Sequence, residues 1–267
     1  MAYWTERVDG QVAWLTFTNP PRNLMPMAGM TELAGHLARI AEDESVSVVV
    51  LTGGVDGYFV AHADTNDLAR LGRGEPVEGN PSDWPRSLAL MTTMPQVVVV
   101  AVDGQAWGGG CEISLAATVR LASERAHFAQ PEVAVGIIPG AGGTQRLPRL
   151  VGPGNAAAMV LTGNPVGAAD ARTIGLVQAV LPTDGFLGHV DRWVADITRH
   201  PRAAVVAAKR ALIEGASLPL GDALALETGL FIELQMGEEA QRLEEEVHRA
   251  YEAGTGVIGG LTAPEQP

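Results

Sequence analysis

The chain has 267 residues, of which 46% are hydrophobic and 18% charged, a net charge of −13 and one cysteine. This composition indicates a globular protein, and the acidic charge argues against a nucleic-acid partner, which needs a basic surface. A single cysteine excludes an intrachain disulfide and is typical of a reducing compartment. The longest aliphatic run, 97–102, is too short to cross a bilayer, and residues 1–9 lack a signal-peptide pattern. We therefore expect a cytoplasmic protein with no membrane partner.

The first half of the chain alternates predicted strands and helices. Runs rich in strand-forming residues predict strands at 12–17, 46–51, 96–102, 119–122 and 126–128. Apolar residues at helical spacing predict helices at 27–42, 64–71 and 87–93. Glycines and prolines make 72–85 a predicted mobile surface loop.

Beyond Gly140 the pattern is mainly helical. The predicted helices cover 155–161, 168–174, 185–197, 201–214 and 221–251. Strands that alternate with helices, followed by a helical C-terminal part, predict an α/β fold with a C-terminal helical region. We expect a core at 1–200, a helical region at 201–255 and a flexible tail at 256–267.

Two glutamates stand in unusually apolar surroundings. Glu112 follows three consecutive glycines and precedes a run of small and apolar residues, and Glu132 precedes the apolar run 133–138. An ionised carboxylate in such surroundings costs several kcal/mol unless it is paired, so its pKa rises toward the range useful for proton transfer. Two such acids predict proton transfer at a carbonyl. The alternative is that both are structural acids, hydrogen-bonded to backbone amides.

Two glycine-rich turns accompany these acids. The turn at 108–110 follows a predicted strand and opens a helix, whose first amides are unpaired and can stabilise an oxyanion. Tight helix–strand packing is the alternative reason for glycine at position 109. The turn at 139–143 is predicted to bend past Glu132. Neither turn has the pattern of a phosphate loop or of a dinucleotide-binding loop.

The motifs around these turns resemble the enoyl-CoA hydratase/isomerase, or crotonase, family. They read AWGGGCE at 106–112, FAQPE at 128–132 and GIIPGAGGTQRL at 136–147, and continue through LTG at 161–163, AADAR at 168–172 and GLV at 175–177. The resemblance covers about residues 10–215. It implies a crotonase-like spiral of repeated strand–strand–helix units. It also implies that the helices at 201–255 pack between the subunits of a trimer or a hexamer.

The resemblance also implies an activity, the reversible hydration of a 2-enoyl-CoA to a 3-hydroxyacyl-CoA. Glu112 would help to activate water for attack at C3, and Glu132 would handle the proton at C2. The backbone amides of Ala63 and Gly109 would form the oxyanion hole. The CoA thioester would be the substrate, with no cofactor and no metal. Further substrate or CoA contacts are expected at Arg22, Ala61, His62, Asp64 and Gly108.

Departures from the family pattern leave alternatives open. The family usually has glycine where this chain has His62, and that glycine is expected to need an unusual backbone conformation. The C-terminal stretch that holds CoA from a neighbouring subunit in relatives is absent, and the sequence QRLEEE at 241–246 occupies that region. Enoyl-CoA isomerisation, or another enolate reaction, is one alternative. A non-catalytic acyl-CoA-binding or assembly protein is the other, and Arg22 is alternatively a solvated turn residue.

Overall fold

The computed structural model describes residues 2–253 of the chain. These form two compact units, the first ending at Thr198 and the second beginning at Arg199. The three-region division drawn from the sequence stays a prediction, and its last region, 256–267, lies outside the described residues. No helix within 2–253 is long and apolar enough to span a bilayer.

The first unit is built on two sheets. Their strands are β1 Trp4–Asp9, β2 Val12–Phe17, β3 Val48–Gly53, β4 Val97–Val102, β5 Gln105–Trp107, β6 Val119–Ser123, β7 His127–Ala129, β8 Val166–Gly167 and β9 Ala179–Leu181. The larger sheet has the order β1-β2-β3-β4-β6-β9 and the smaller one β5-β7-β8. Apart from the antiparallel β1–β2 pair, the larger sheet is parallel. Its central strands are buried on both faces, which explains their nearly continuous valine sequences.

The other described elements of both units are helical. The first unit contains α1 Met27–Ala41, α2 Thr65–Gly72, α3 Asp83–Thr93, α4 Gly109–Leu115, a 3-10 helix at Glu132–Val135, α5 Gly143–Thr162, α6 Ala168–Thr173 and α7 Phe186–Thr198. The second unit contains α8 Arg202–Gly215, α9 Leu220–Gln235 and α10 Glu238–Glu252. Within α5 the helix is interrupted at Gly152, which has φ 77° and ψ 158°.

The strand–strand–helix repeat is visible in the middle of the chain. The pair β4–β5 starts in the larger sheet, ends in the smaller one and leads into α4. The pair β6–β7 follows the same course and leads into the 3-10 helix. Each repeat therefore delivers the start of a helical segment to the same edge of the smaller sheet, because β5 and β7 are parallel.

Several sequence-based boundaries are wrong. The strands β1, β5, β8 and β9 and the first half of α5 were not predicted; of these, β5, β8 and β9 have only two or three residues and are too short to show a period. The predicted helix 221–251 is two helices that break at Met236 and Gly237. The predicted loop 72–85 ends earlier, because α3 begins at Asp83 and accommodates Pro85 in its first turn.

Candidate active site

The glycine-rich turn at 108–110 connects β5 to α4. Gly108 has φ 49°, donates its N–H to the carbonyl of Ala129 at 2.9 Å, and accepts from the Glu112 N–H at 2.8 Å, which opens the helix. As the first residue of α4, Gly109 has a backbone N–H without a partner inside the helix. A Cβ on Gly110 would lie 1.9 Å from the carbonyl oxygen of Val60. Close backbone packing thus requires glycine at 110, next to the free amide at 109.

The segment 61–64 lies beside this turn. Met25 donates to the carbonyl of His62 at 2.9 Å and accepts from the N–H of Asp64 at 2.8 Å. In such a parallel bridge the residue between the two, Ala63, directs its own N–H away from Met25. The Cβ of Ala63 lies 3.3 Å from the position that a Cβ on Gly109 would occupy. The structure therefore brings together the two residues predicted to form the oxyanion hole.

His62 does not need the backbone conformation expected for the family's glycine. Among residues 2–253, the one non-glycine residue with positive φ is Asn23. The expectation of an unusual turn at His62 is therefore wrong. Its Nδ1 lies 2.7 Å from the carbonyl oxygen of Ala63, and because a carbonyl only accepts, the ring nitrogen donates. Its Cβ lies 3.9 Å from where a Cβ on Gly108 would be.

Asn23 anchors the segment 61–64 and was not singled out from the sequence. It is fully buried with φ 54°, which asparagine tolerates better than most residues. Its side-chain amide donates to the carbonyls of Phe17 at 3.1 Å and Phe59 at 2.5 Å. Its own carbonyl accepts from the N–H of Ala61 at 3.0 Å. Asn23 thus links the end of β2 at Phe17 to the segment 61–64, which carries Ala63.

Glu112 is buried, with 4% of its surface exposed, and is held by the second glycine-rich turn. Its Oε1 accepts from the N–H groups of Ala141 at 2.7 Å and Gly143 at 2.9 Å. Burial raises the pKa of Glu112, while these two amides and the positive charge of Arg146 oppose the rise. The sequence did not indicate that the amides of this turn hold Glu112, and the predicted bend past Glu132 stays a prediction.

Glu132 stands at the start of the 3-10 helix and is half-buried. Burial raises its pKa to about 7, and the negative charge of Glu112 adds to the rise. A Cβ on Gly108 would lie 3.1 Å from its Oε1, so glycine leaves room for the carboxyl. In the amide orientation that satisfies its neighbours, Gln130 donates to both carboxyl oxygens, at 3.0 and 3.2 Å. Gln130 belongs to the matched motif but was not predicted as a site residue.

Both carboxyls, Ala63 and Gly109 line one cavity of about 340 Å³. The remaining lining residues are uncharged: Met27, Leu68, Leu71, Pro81, Trp84, Pro85, Ile137, Ile138, Gly140 and Ala141. Trp84 was missed by sequence reasoning because it lay in the predicted loop. A Cβ on Gly109 would lie 2.6 Å from Cζ2 of Trp84, so the indole packs directly against Gly109.

Other predicted contact residues lie outside this lining. Arg22 is exposed on the turn before Asn23 and is not one of the described residues that line the cavity. Asp64 caps α2 by accepting from the N–H of Asn66 at 2.8 Å. Ala61 is buried, and its carbonyl accepts from the N–H of Trp107 at 3.0 Å. These positions support the shape of the site, and their contacts with a substrate stay predictions.

Comparison with known proteins identifies the family. A family model described as Enoyl-CoA hydratase/isomerase matches residues 7–253. The chain is 38% identical to a 2,3-dehydroadipyl-CoA hydratase of Escherichia coli K12 over 231 residues, 86% of this chain and 89% of that protein. It is 35% identical to a crotonyl-CoA hydratase of Syntrophomonas wolfei over 217 residues, 80% of this chain and 83% of that protein.

The solved structures agree with this assignment. A crystal structure of enoyl-CoA hydratase from Bacillus anthracis superimposes with a TM-score of 0.84 at 29% identity, covering 97% of this chain and 100% of that one. The predicted α/β fold of the crotonase type is thereby confirmed. The chain belongs to the enoyl-CoA hydratase/isomerase family.

Proposed function

We propose that this protein is an enoyl-CoA hydratase, which reversibly adds water across the double bond of a 2-enoyl-CoA to give a 3-hydroxyacyl-CoA. One observation carries the proposal: two carboxyls, Glu112 and Glu132, face the same cavity as Ala63 and Gly109. The predicted hydration activity is supported by two relatives that are named as hydratases and that this chain matches over more than four fifths of their length.

In the proposed reaction the thioester carbonyl oxygen accepts from the amides of Ala63 and Gly109. Water attacks C3, its oxygen bonds to that carbon, and one of its protons passes to Glu112. The electrons of the C2–C3 double bond move into the enolate, whose negative oxygen the two amides stabilise more strongly than the neutral carbonyl. Glu132 then supplies a proton to C2, and the enolate returns to the carbonyl. The sum is one water added and no net proton change.

The surroundings of the two acids suit different roles. The N–H groups of Ala141 and Gly143 both donate to Oε1 of Glu112. Oε2 is therefore the oxygen suited to receive the proton of water. These amides and Arg146 favour the ionised form, which is the form that a base needs. Glu132, with its pKa raised to about 7 chiefly by burial, retains its proton over part of the neutral range. It is therefore suited to act as the acid.

The alternatives have less support. Isomerisation moves a proton between carbon atoms and needs no acid beside C3, and the names of the relatives do not favour it. The case for a non-catalytic acyl-CoA binder depended on His62 obstructing the hole, together with the absence of the family's C-terminal CoA contacts. His62 is not among the described residues that line the cavity, and its backbone leaves Ala63 beside Gly109.

Further parts of the proposal concern the protein's surroundings. The CoA thioester is the substrate, with no cofactor or metal, and Arg22 contacts its phosphates. The protein is cytoplasmic and assembles as a trimer or hexamer through the second unit. Large exposed apolar residues on α8 and α9 support the assembly, since contiguous apolar surface marks contact sites: Leu212 is 71% exposed, Leu220 75% and Phe231 58%.

Crotonyl-CoA hydration by Glu112→Gln and Glu132→Gln tests the proposal. Each change keeps the side-chain shape and an oxygen that accepts from the backbone, but removes a proton donor or acceptor. We expect each to lower kcat by about 10²- to 10⁴-fold. Glu44→Gln, on an exposed glutamate remote from the cavity lining, is the matched control, and circular dichroism checks the fold. Near-normal turnover by either active-site variant would contradict the two-acid mechanism.

A further inference from the structure

The part of the cavity beyond the acids and the predicted hole is apolar. Its walls come from α1, α2, α3 and the segment after the 3-10 helix, and they consist of Met27, Leu68, Leu71, Pro81, Trp84, Pro85, Ile137 and Ile138. Within the described chain, no lysine, arginine or histidine lines the cavity. The acyl chain of a bound thioester would therefore meet hydrocarbon walls and two acids.

Three arginines stand on the helices around the cavity but do not belong to its described lining. Arg70 on α2 has its Nε 3.9 Å from Oε2 of Glu75, within ion-pair distance, and this buried nitrogen makes no hydrogen bond within residues 2–253. Arg86 on α3 has its Nη1 3.3 Å from Oδ1 of Asp83. Arg146 on α5 donates from Nη1 to the carbonyl of Ala141 at 2.9 Å, and its charge acts on Glu112. Two of the three, Arg86 and Arg146, thus have acceptors of their own, and the described cavity wall contains no cation.

A carboxylate at the end of an acyl chain would be unfavourable in these surroundings. It would lose hydration on entering apolar walls, a cost of several kcal/mol when no counter-charge is present. The carboxyls of Glu112 and Glu132 would add repulsion: after burial, which is the larger cause, their negative charges raise the pKa of the neighbouring Cys111 thiol. A neutral chain of equal length carries neither cost and gains from apolar burial.

We propose that the site selects 2-enoyl-CoAs whose acyl chain ends in an uncharged group and excludes chains that end in a carboxylate. This inference rests on the proposed hydratase function and concerns the substrate class of the same site. It sets the chain apart from its Escherichia coli relative, which is named for 2,3-dehydroadipyl-CoA, a thioester that ends in a carboxylate.

A matched pair of substrates tests the selection directly. 2-Hexenoyl-CoA and 2,3-dehydroadipyl-CoA both have a six-carbon acyl chain and differ in the terminal carboxylate. We expect kcat/KM to be at least about 100-fold higher for 2-hexenoyl-CoA, as follows from burial of an unpaired carboxylate. Comparable values for the two substrates would overturn the inference.

A pair of variants places the selection in the cavity wall. Ile138 lines the cavity and is 67% exposed, so Ile138→Arg puts a cation there with little disturbance of the fold. Val135 is three residues earlier, is 71% exposed and does not line the cavity, so Val135→Arg is the control. An added counter-charge should favour the substrate that ends in a carboxylate. We therefore expect Ile138→Arg to lower the ratio of kcat/KM for 2-hexenoyl-CoA to that for 2,3-dehydroadipyl-CoA by about tenfold or more, and Val135→Arg to leave this ratio unchanged. An unchanged ratio in Ile138→Arg, or equal narrowing in both, contradicts the assignment.

Binding of saturated thioesters separates this inference from the proposed function. Hexanoyl-CoA and adipyl-CoA cannot be hydrated, and calorimetry measures their Kd without turnover. If no enoyl-CoA is hydrated but hexanoyl-CoA binds at least about 100-fold more tightly, the hydratase proposal fails and the selection stands. Equal affinities, or binding of neither thioester, would overturn the selection.

Discussion

The half-buried carboxyl of Glu132 should lower the stability of the folded protein at neutral and alkaline pH. Burial, with the charge of Glu112, raises its pKa from 4.5 to about 7. Below 4.5 the group is protonated in the folded and unfolded chains alike. Between 4.5 and 7 the unfolded chain loses the proton first, so stability falls as pH rises, and above about 7 the full penalty applies. Glu132→Gln removes this penalty.

The size of the effect follows from the shift in pKa. A rise of that size corresponds to at most about 3 kcal/mol. Because Glu132 is only half-buried, solvent screening reduces this to about 1–2 kcal/mol. For a chain of this length, each kcal/mol corresponds to about 2–4 °C in Tm. At about pH 8.5 we therefore expect Glu132→Gln to melt about 2–8 °C above the unmodified protein.

Scanning calorimetry at fixed protein concentration measures this difference. At about pH 5.5 less than half of the interval between the unfolded and folded pKa values of Glu132 has been crossed. The gain in Tm from Glu132→Gln should therefore be less than half of that at about pH 8.5. Glu44→Gln, on an exposed surface, should give the same small change at both pH values. A gain for Glu132→Gln that does not grow with pH, or a loss at pH 8.5, would refute the reasoning.

Two further predictions concern catalysis. Hydration consumes no net proton, so forward and reverse kcat/KM share one pH profile, set by the singly protonated pair of Glu112 and Glu132. With crotonyl-CoA we expect an alkaline limb near pH 7, the value to which burial raises the pKa of Glu132, and a flat profile from about pH 6 to 9 would contradict it. Gly109→Ala places a Cβ 2.6 Å from Cζ2 of Trp84 and should lower kcat by about 10²- to 10³-fold through displacement of the predicted donor. Gly140→Ala, also in the cavity lining but with no described atom within 4 Å of its Cβ, should retain most activity, and an equal loss in both would contradict the steric argument.

The acids could be found from the sequence because their setting is local. Glu112 and Glu132 stand beside glycines and apolar runs, and a carboxylate there is conspicuous without knowledge of the fold. The strands β3 and β4 were found for the same reason, since a continuous valine run indicates burial on both faces. Local patterns thus located both the proposed catalytic acids and the centre of the larger sheet.

The missed residues act through contacts distant in sequence. Trp84 lies over Gly109, 25 positions later, and its neighbouring prolines indicated a loop although Pro85 fits the first turn of α3. Gln130 contacts Glu132 through an orientation fixed only by the folded chain. The error at His62 had another cause: a glycine in the family pattern was taken to require positive φ, which this backbone does not adopt. The residue type at one position does not determine its φ.

The fold separates two similar acids by giving each a different electrostatic setting. Glu112 is the more deeply buried, yet two amides of the turn 141–143 and the Arg146 charge oppose the effect of burial on its pKa. Burial, with the negative charge of Glu112, raises the pKa of Glu132 to about 7. Near neutral pH one proton shared by the pair therefore resides mainly on Glu132, the arrangement that hydration needs before water attacks. The reverse reaction needs that proton on Glu112. Binding of the 3-hydroxyacyl-CoA must therefore supply the free-energy difference between a proton on Glu132 and a proton on Glu112.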